Sequence, residues 1–282
     1  MTNALNTEGM SLQIVHRRRW GAWLLGAATL IVVSTMILAA VRAQIMDLEV
    51  FYRYLFDGQI MRGAFNAVVL GTLALIISAI IGLMLALMRV SGNPILASVS
   101  AVYVYFFRGT PMLIQLLFWF NAFPIMFPDL YISIPFTDVV LIDQRMTTVI
   151  TPFIAALAGL SLAEGAYMSE IIRGGIMAVD DGQRSAARAL GMTHNQVLRK
   201  IVIPQAGRII IPASGNQYIM LLKSTSLASA IGYLELLRIT TDIYSANFRV
   251  VELLAVSAFW YLLMTAFATA LQTTLEKLFP QR

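Results

Sequence analysis

Three ionisable side chains stand inside long apolar stretches of this sequence: Glu164 and Glu170 in the stretch from about Thr151 to Ile172, and Lys223 in that from about Arg208 to Leu234. A charge in such surroundings is costly unless it meets water, a partner or a bound solute, so each is a candidate functional residue. Glu164 and Lys223 supply one anion and one cation; a structural ion pair, or hydrogen bonds to freed backbone carbonyls, is the alternative use. At 1.5 Å per helical residue, and with a hydrocarbon layer ~30 Å thick, the two lie about 10 Å apart in depth. Direct pairing therefore needs a broken helix, for which Pro212, Gly215 and Ser224-Thr225-Ser226 are the candidates. Glu170 precedes Arg173 by three positions, the helical spacing of a structural pair. Gln115, Asn121, Ser214, Asn216 and Gln217 can hydrogen-bond a ligand or join neighbouring helices.

Other chemistry is excluded by inventory. The chain has no cysteine and only two histidines, His16 and His194, so thiol catalysis, disulfides and iron–sulfur clusters are absent and no His-Glu-x-x-His zinc site exists. The three lysines follow Arg199, Leu222 and Glu276, so none completes a phosphate-binding P-loop. No catalytic residue, cofactor site or metal site is assigned to this chain, and an enzyme is not expected.

The elements that must carry these residues are membrane spans. The 282 residues are 59% hydrophobic and 12% charged, about half the charged fraction of a soluble domain. The net charge of +5 accompanies long apolar runs, so it reads as an orientation signal and not as a nucleic-acid surface. Arg17-Arg18-Arg19 precedes 22 uninterrupted residues from Trp20 to Val41, longer than the ~7–15 residues of a signal-peptide core, which predicts a retained first span. A mixed stretch from Asp47 to Arg62 reads as an interfacial amphipathic helix. Further spans are expected at about 64–88, 111–127, 151–172, 208–234 and 253–275, making an all-α polytopic bundle of about six helices. In the third, Thr110 is expected to cap a helix whose first residue is Pro111, with 98–107 lying along the membrane surface and Arg108 near water. A loop is expected over 128–146. Thirteen of the twenty Lys and Arg fall on the side that holds the N-terminus, and six on the other, so both termini are expected in the cytoplasm. The chain then divides into a tail at 1–18, an additional first helix and interfacial segment at 19–60, a core at 61–278 containing a cytoplasmic loop at 176–205, and a tail at 279–282.

That loop carries the most specific local signal. Asp180 or Asp181 can cap a helix running to Leu190, Gly191 supplies a left-handed stop, and Thr193 with Gln196 has capping-box spacing for a second helix limited by Pro204. Ala186, Ala187 and Ala189 leave a shallow surface, with Met192, Val197 and Leu198 as apolar knobs; the element reads as one another protein grips, the alternative being a solvated loop.

This loop resembles the EAA signature of the membrane subunits of ATP-binding-cassette importers. Ala186, Ala187 and Gly191 match that signature and Ile201 to Pro204 resemble its end, whereas Ser185 stands where it has Glu. Over about residues 58 to 278, the segments Arg108-Gly109-Thr110-Pro111, Gly165 to Ile176 and Leu221 to Leu227 are similar to the polar-amino-acid permeases of the histidine, glutamine and arginine group. The resemblance implies a type I importer transmembrane domain in a bacterial inner membrane, a second permease subunit, a cytoplasmic ATPase dimer that holds ATP and Mg, and an extracytoplasmic solute-binding protein. It implies ATPase coupling through Gln183, Ser185, Ala186, Ala187, Gly191, Met192 and His194 within 181–203. On that reading an amino-acid zwitterion finds its counter-charges at Lys223 and Glu164, with Asn216 and Gln115 along the path. The rival reading is an ion-coupled secondary transporter or a channel that needs no ATPase.

Overall fold

The computed structural model describes residues 20–42, 46–133 and 140–278 and falls into two units, residues 1–47 and 48–282. The expected tails at 1–18 and 279–282 lie outside the described residues. The first unit contains helix α1, Trp20–Arg42. The second opens with a short amphipathic helix α2, Leu48–Leu55, so the expected interfacial segment over 47–62 is not one helix: it breaks at Phe56 and Asp57, and its second half belongs to the next helix. Asp57 then starts α3, Gly58–Val90, by accepting a bond from the Gln59 amide at 2.8 Å. At 33 residues α3 is ~50 Å long and outreaches the hydrocarbon layer. Asn93 and Pro94 launch α4, Pro94–Gly109.

After a bend of 101°, the chain continues as α5, Met112–Leu117, a π-turn over Phe118–Ala122, and α6, Phe123–Met126. The bend corrects the expectation for Thr110. Its hydroxyl donates to the Phe106 carbonyl and accepts from Gln115, so it closes α4 and caps nothing that follows; Pro111 is the residue before α5. The expected loop over 128–146 contains an antiparallel hairpin, β1 Asp129–Ser133 with β2 Val140–Arg145, in register Asp129 to Arg145 and Ile132 to Ile142. A single turn, α7, Met146–Val149, precedes α8, Pro152–Met177, which Thr151 caps as its Thr-Pro start implies.

Beyond α8 come α9, Asp181–Ala189, and α10, His194–Val197, a π-turn over Leu198–Val202, and α11, Ile203–Ser224. Pro204 was expected to limit the second loop helix, yet the helix runs through it. The π-turn shifts the hydrogen-bond register there, with Ile203 N–H bonding Leu198 O, and Pro204 falls in the first turn of α11, where its missing N–H costs little. Pro212 likewise stays inside α11; the break falls at Ser224, where a 3-10 segment, Thr225–Ile231, takes over. An unanticipated helix α12, Leu236–Asn247, then precedes α13, Val250–Leu278.

The six expected spans thus fall on α1, α3, α5 with α6, α8, α11 and α13. Among the described residues, α3 and α13 are long and apolar enough to cross a membrane by composition alone, and the bent α4 to α6 pair joins them if counted as one span. Helices α8 and α11 have 26 and 22 residues, enough for a ~30 Å layer, but carry polar groups.

Small residues let these helices touch. A Cβ on Gly82 of α3 would lie 2.6 Å from Met168 Cβ on α8, and one on Gly165 would lie 2.7 Å from Ile81 Cγ2. Leu70 and Ala74 of α3, Leu116 of α5, Ala155, Ala156 and Leu160 of α8, and Leu221 of α11 form the central core. A second core joins Leu55, Ile60, Leu236, Leu253 and Val256 from α2, α3, α12 and α13. Gly82→Ala should therefore cost about 1–3 kcal/mol by forcing α3 from α8. Gly174→Ala, where the added methyl meets nothing within 4 Å, should be near neutral. Thermal unfolding of the two purified variants in detergent checks the contrast; equal melting would contradict the packing.

Candidate functional site

The loop between α8 and α11 folds as a small body of its own. Asp180 accepts from the amides of Gly182 and Gln183 at 2.6 and 3.2 Å and so starts α9, with Asp181 in its first turn near the helix dipole. Gly191 has φ +78°, a conformation a side chain would strain, and its amide and that of Met192 close α9 on Arg188 and Ala187 carbonyls. Thr193 and Gln196 form the expected reciprocal box: the Thr193 amide donates to Gln196 Oε1 at 2.8 Å and the Gln196 amide to Thr193 Oγ1 at 3.4 Å.

The fold reverses one expectation. Ala187, Val197 and Val202 are buried with Val179 and Ala206, and Met192 and Leu198 pack on them. The residues read as knobs for a partner are the body's own core, because two helices hinged at Gly191 close on each other. What stays outside is Ser185, Ala186, Gly191 and above all Leu190, 84% exposed. Leu190 was missed by sequence reading; the signal lay in its place as the last apolar residue before the hinge. The side chain of His194 lies outside the described residues.

Contacts from both α11 and α8 fix this body to the bundle. Gln205 Nε2 on α11 donates to Gln183 Oε1 on α9 at 2.5 Å. A Cβ on Gly175 of α8 would stand 2.5 Å from Ile210 Cγ1 of α11, so the two helices meet at the base of the loop. Arg184 donates to the Ile176 carbonyl and pairs with Asp181 at 3.4 Å.

The polar groups within the bundle separate into two sets. Glu164 is 2% exposed, faces the side-chain amide of Gln217 on α11, and keeps one carboxylate oxygen without a partner among the described residues; Ser161 Oγ, one turn earlier on α8, is likewise unpaired. Lys223 instead lies on the outer face of α11, in an exposed stripe with Asn216 and Met220 at helical spacing. The chain therefore does not bring Glu164 and Lys223 together. Gln115 is 6% exposed, and its amide nitrogen is spent on Phe107 O, Thr110 O and Thr110 Oγ1, which holds the α4–α5 bend. Glu170 pairs with Arg173 at 2.6 Å, as the spacing implied. The Ser224 to Ser226 hydroxyls bond back to Met220, Leu222 and Lys223 carbonyls, so the break there is satisfied locally.

Glu235, fully buried at the start of α12 beside α13, went unrecognised in the sequence. It caps α12 by accepting from the Leu237 and Arg238 amides and takes a 2.6 Å bond from Tyr261 OH. Burial pushes its carboxyl pKa up against the pull of those bonds. The available signal was an acid directly after Gly232-Tyr233-Leu234 and before an apolar-periodic run.

The family model for the binding-protein-dependent transport system inner membrane component matches residues 78–279. The chain belongs to this family. This permease is 38% identical over 265 residues to the arginine transport system permease protein ArgU of Corynebacterium glutamicum, covering 93% of this chain and 81% of that one. It is 32% identical to the glutamine transport system permease protein GlnP of Escherichia coli, over 77% of this chain and 91% of that one. Among solved structures, an amino acid ABC transporter with histidines aligns at a TM-score of 0.66 and 35% identity, over 78% of this chain and 93% of that one. The MetNI methionine transporter, at 18% identity and a TM-score of 0.57 over 76% of this chain and 95% of that one, shares the fold.

The permease is thus an integral inner-membrane protein and not an enzyme, and its family works with a solute-binding protein and an ATPase. Since Lys223 points away from the permease's own core, replacing it should spare folding. Lys223→Met is expected to slow uptake about tenfold, ~1.4 kcal/mol in the barrier, with unchanged yield and melting. Wild-type uptake would make Lys223 a surface residue without a part in passage.

Proposed function

We propose that this permease carries polar amino acids or closely related solutes inward, driven by a cytoplasmic ATPase dimer that grips residues 181–203. Both termini lie in the cytoplasm, a second permease subunit completes the path, and ATP with Mg is held by the ATPase alone. One observation carries this reading: the α9–α10 body has its own apolar core and rigid ties to both α8 and α11, so a push on its exposed end moves two spans together. The surface it offers is Ser185, Ala186, Leu190 and Gly191, while Gln183, Ala187 and Met192 hold it in shape. His194 lies on the helix that follows the hinge. The substrate class is supported by ArgU and GlnP, relatives that span most of this chain's length.

In the mechanism the solute-binding protein delivers its load to the outer face, and closure of the ATPase dimer displaces the α9–α10 body. Helices α8 and α11 follow, which shifts Glu164, Gln217 and the Asn216–Lys223 stripe relative to one another. Lys223 offers a cation for the solute carboxylate as it passes. Glu164, against Gln217, is the buried anion available to its ammonium when the helices part.

The test is ATPase stimulation in a reconstituted importer. Leu190→Asp places an unpaired carboxylate at the centre of the gripping surface and should cut binding-protein-stimulated hydrolysis about tenfold or more while the permease still inserts. Gly191→Pro should do the same by removing the hinge. Full stimulation in both variants, or uptake driven by an ion gradient in this chain alone, would overturn the proposal. Across a panel of solutes, polar amino acids should stimulate and others should not.

A further inference from the structure

At the α4–α5 bend, an apolar slot of about 150 Å³ is lined by Phe106, Phe107, Thr110, Ile114, Gln115, Phe118 and Trp119. That is room for about five water-sized groups, or a short run of methylenes. Its rim faces outward, since Phe106 and Ile114 are more than half exposed. The inner wall is α8, where Leu116 and Trp119 close over Gly159.

Cations gather at the loop end of this slot. The Arg108 guanidinium sits 5.2 Å from the ring centre of Tyr167, eight residues beyond Gly159 on α8 and so ~12 Å nearer the α9–α10 body. Arg89, at the end of α3, reaches the Ala97 carbonyl at 3.3 Å. Both lie within charge range of Glu170, whose carboxylate is bonded to Arg173. Three guanidiniums thus share one carboxylate, and among the described residues neither Arg89 nor Arg108 has an ion pair of its own.

We propose that the bend is a binding site for an anionic phospholipid, with the headgroup phosphate on Arg108 and Arg89 and part of an acyl chain in the slot. A cationic rim ~12 Å from an apolar slot matches the vertical order of phosphate and chain in one leaflet. A two-fold copy of this chain would bring its own Arg89 and Arg108 towards the same face, and like charges facing each other repel. A passing amino acid would leave its ammonium without a free carboxylate here.

The assembled importer, purified in mild detergent, is analysed by quantitative lipid extraction for phosphatidylglycerol. The wild type should retain about one molecule per permease chain that millimolar inorganic phosphate does not displace. Arg89→Gln with Arg108→Gln should lower retention several-fold, and Arg108→Lys should keep most of it. Ile114→Trp should lower it with both arginines intact. Phe118→Ala, which opens the slot, provides a second reading should the larger side chain impair folding, and it should also lower retention. Equal retention in all variants, displacement by free phosphate, or a disulfide between two copies through Ile114→Cys would each overturn the assignment.

Discussion

Ile210 of α11 occupies the space that any side chain at Gly175 of α8 would need. That contact brings two spans together at the base of the α9–α10 body, and the proposed coupling of a partner's motion to the membrane depends on it. A larger residue at 175 would part the helices there and leave the body on flexible stems. With the contact in place, the body's core of Val179, Ala187, Val197 and Val202 is continuous with Ala206 and Ile210 of α11. Such a packed unit moves as one piece because close-packed interiors transmit displacement instead of absorbing it.

Inside the bundle, the same economy of small residues sets where polar groups can sit. The close approach of α3 and α8 at Gly82 and Gly165 leaves no room for water between them, and the unpaired oxygens of Ser161 and Glu164 lie on the helix that makes this approach. Lys223 escapes burial by lying on the far face of α11. The separation gives the chain a buried polar interior at Ser161 and Glu164 and an exposed face that carries Lys223.

Caps and hinges were legible in the sequence because each depends on residues within four positions. Asp180, Gly191 and the Thr193–Gln196 box behave as their spacing implied, as does the Glu170–Arg173 pair. The direction of the apolar side chains was not legible. Met192 and Val197 look alike whether they meet a partner or each other, and only the closure at Gly191 decides it. Thr110 shows the same limit: a Thr-Pro start served α8 at Thr151, whereas at Thr110 the distant Gln115 amide claimed the hydroxyl. The hairpin over 129–145 and helix α12 escaped notice because short elements outside the spans carry weak periodicity. Pro204 misled for a related reason, since a π-turn absorbed the proline that periodicity treats as a stop.

The most direct measurement is photo-cross-linking from a reactive group introduced at Leu190 in the complete importer, with and without ATP. Because this side chain projects from the rigid end of the body, the ATPase subunit should be captured in high yield, and the yield should change when nucleotide closes the dimer. A probe at Leu190 that reacts with solvent reagents yet never captures the ATPase, in either state, would contradict the account.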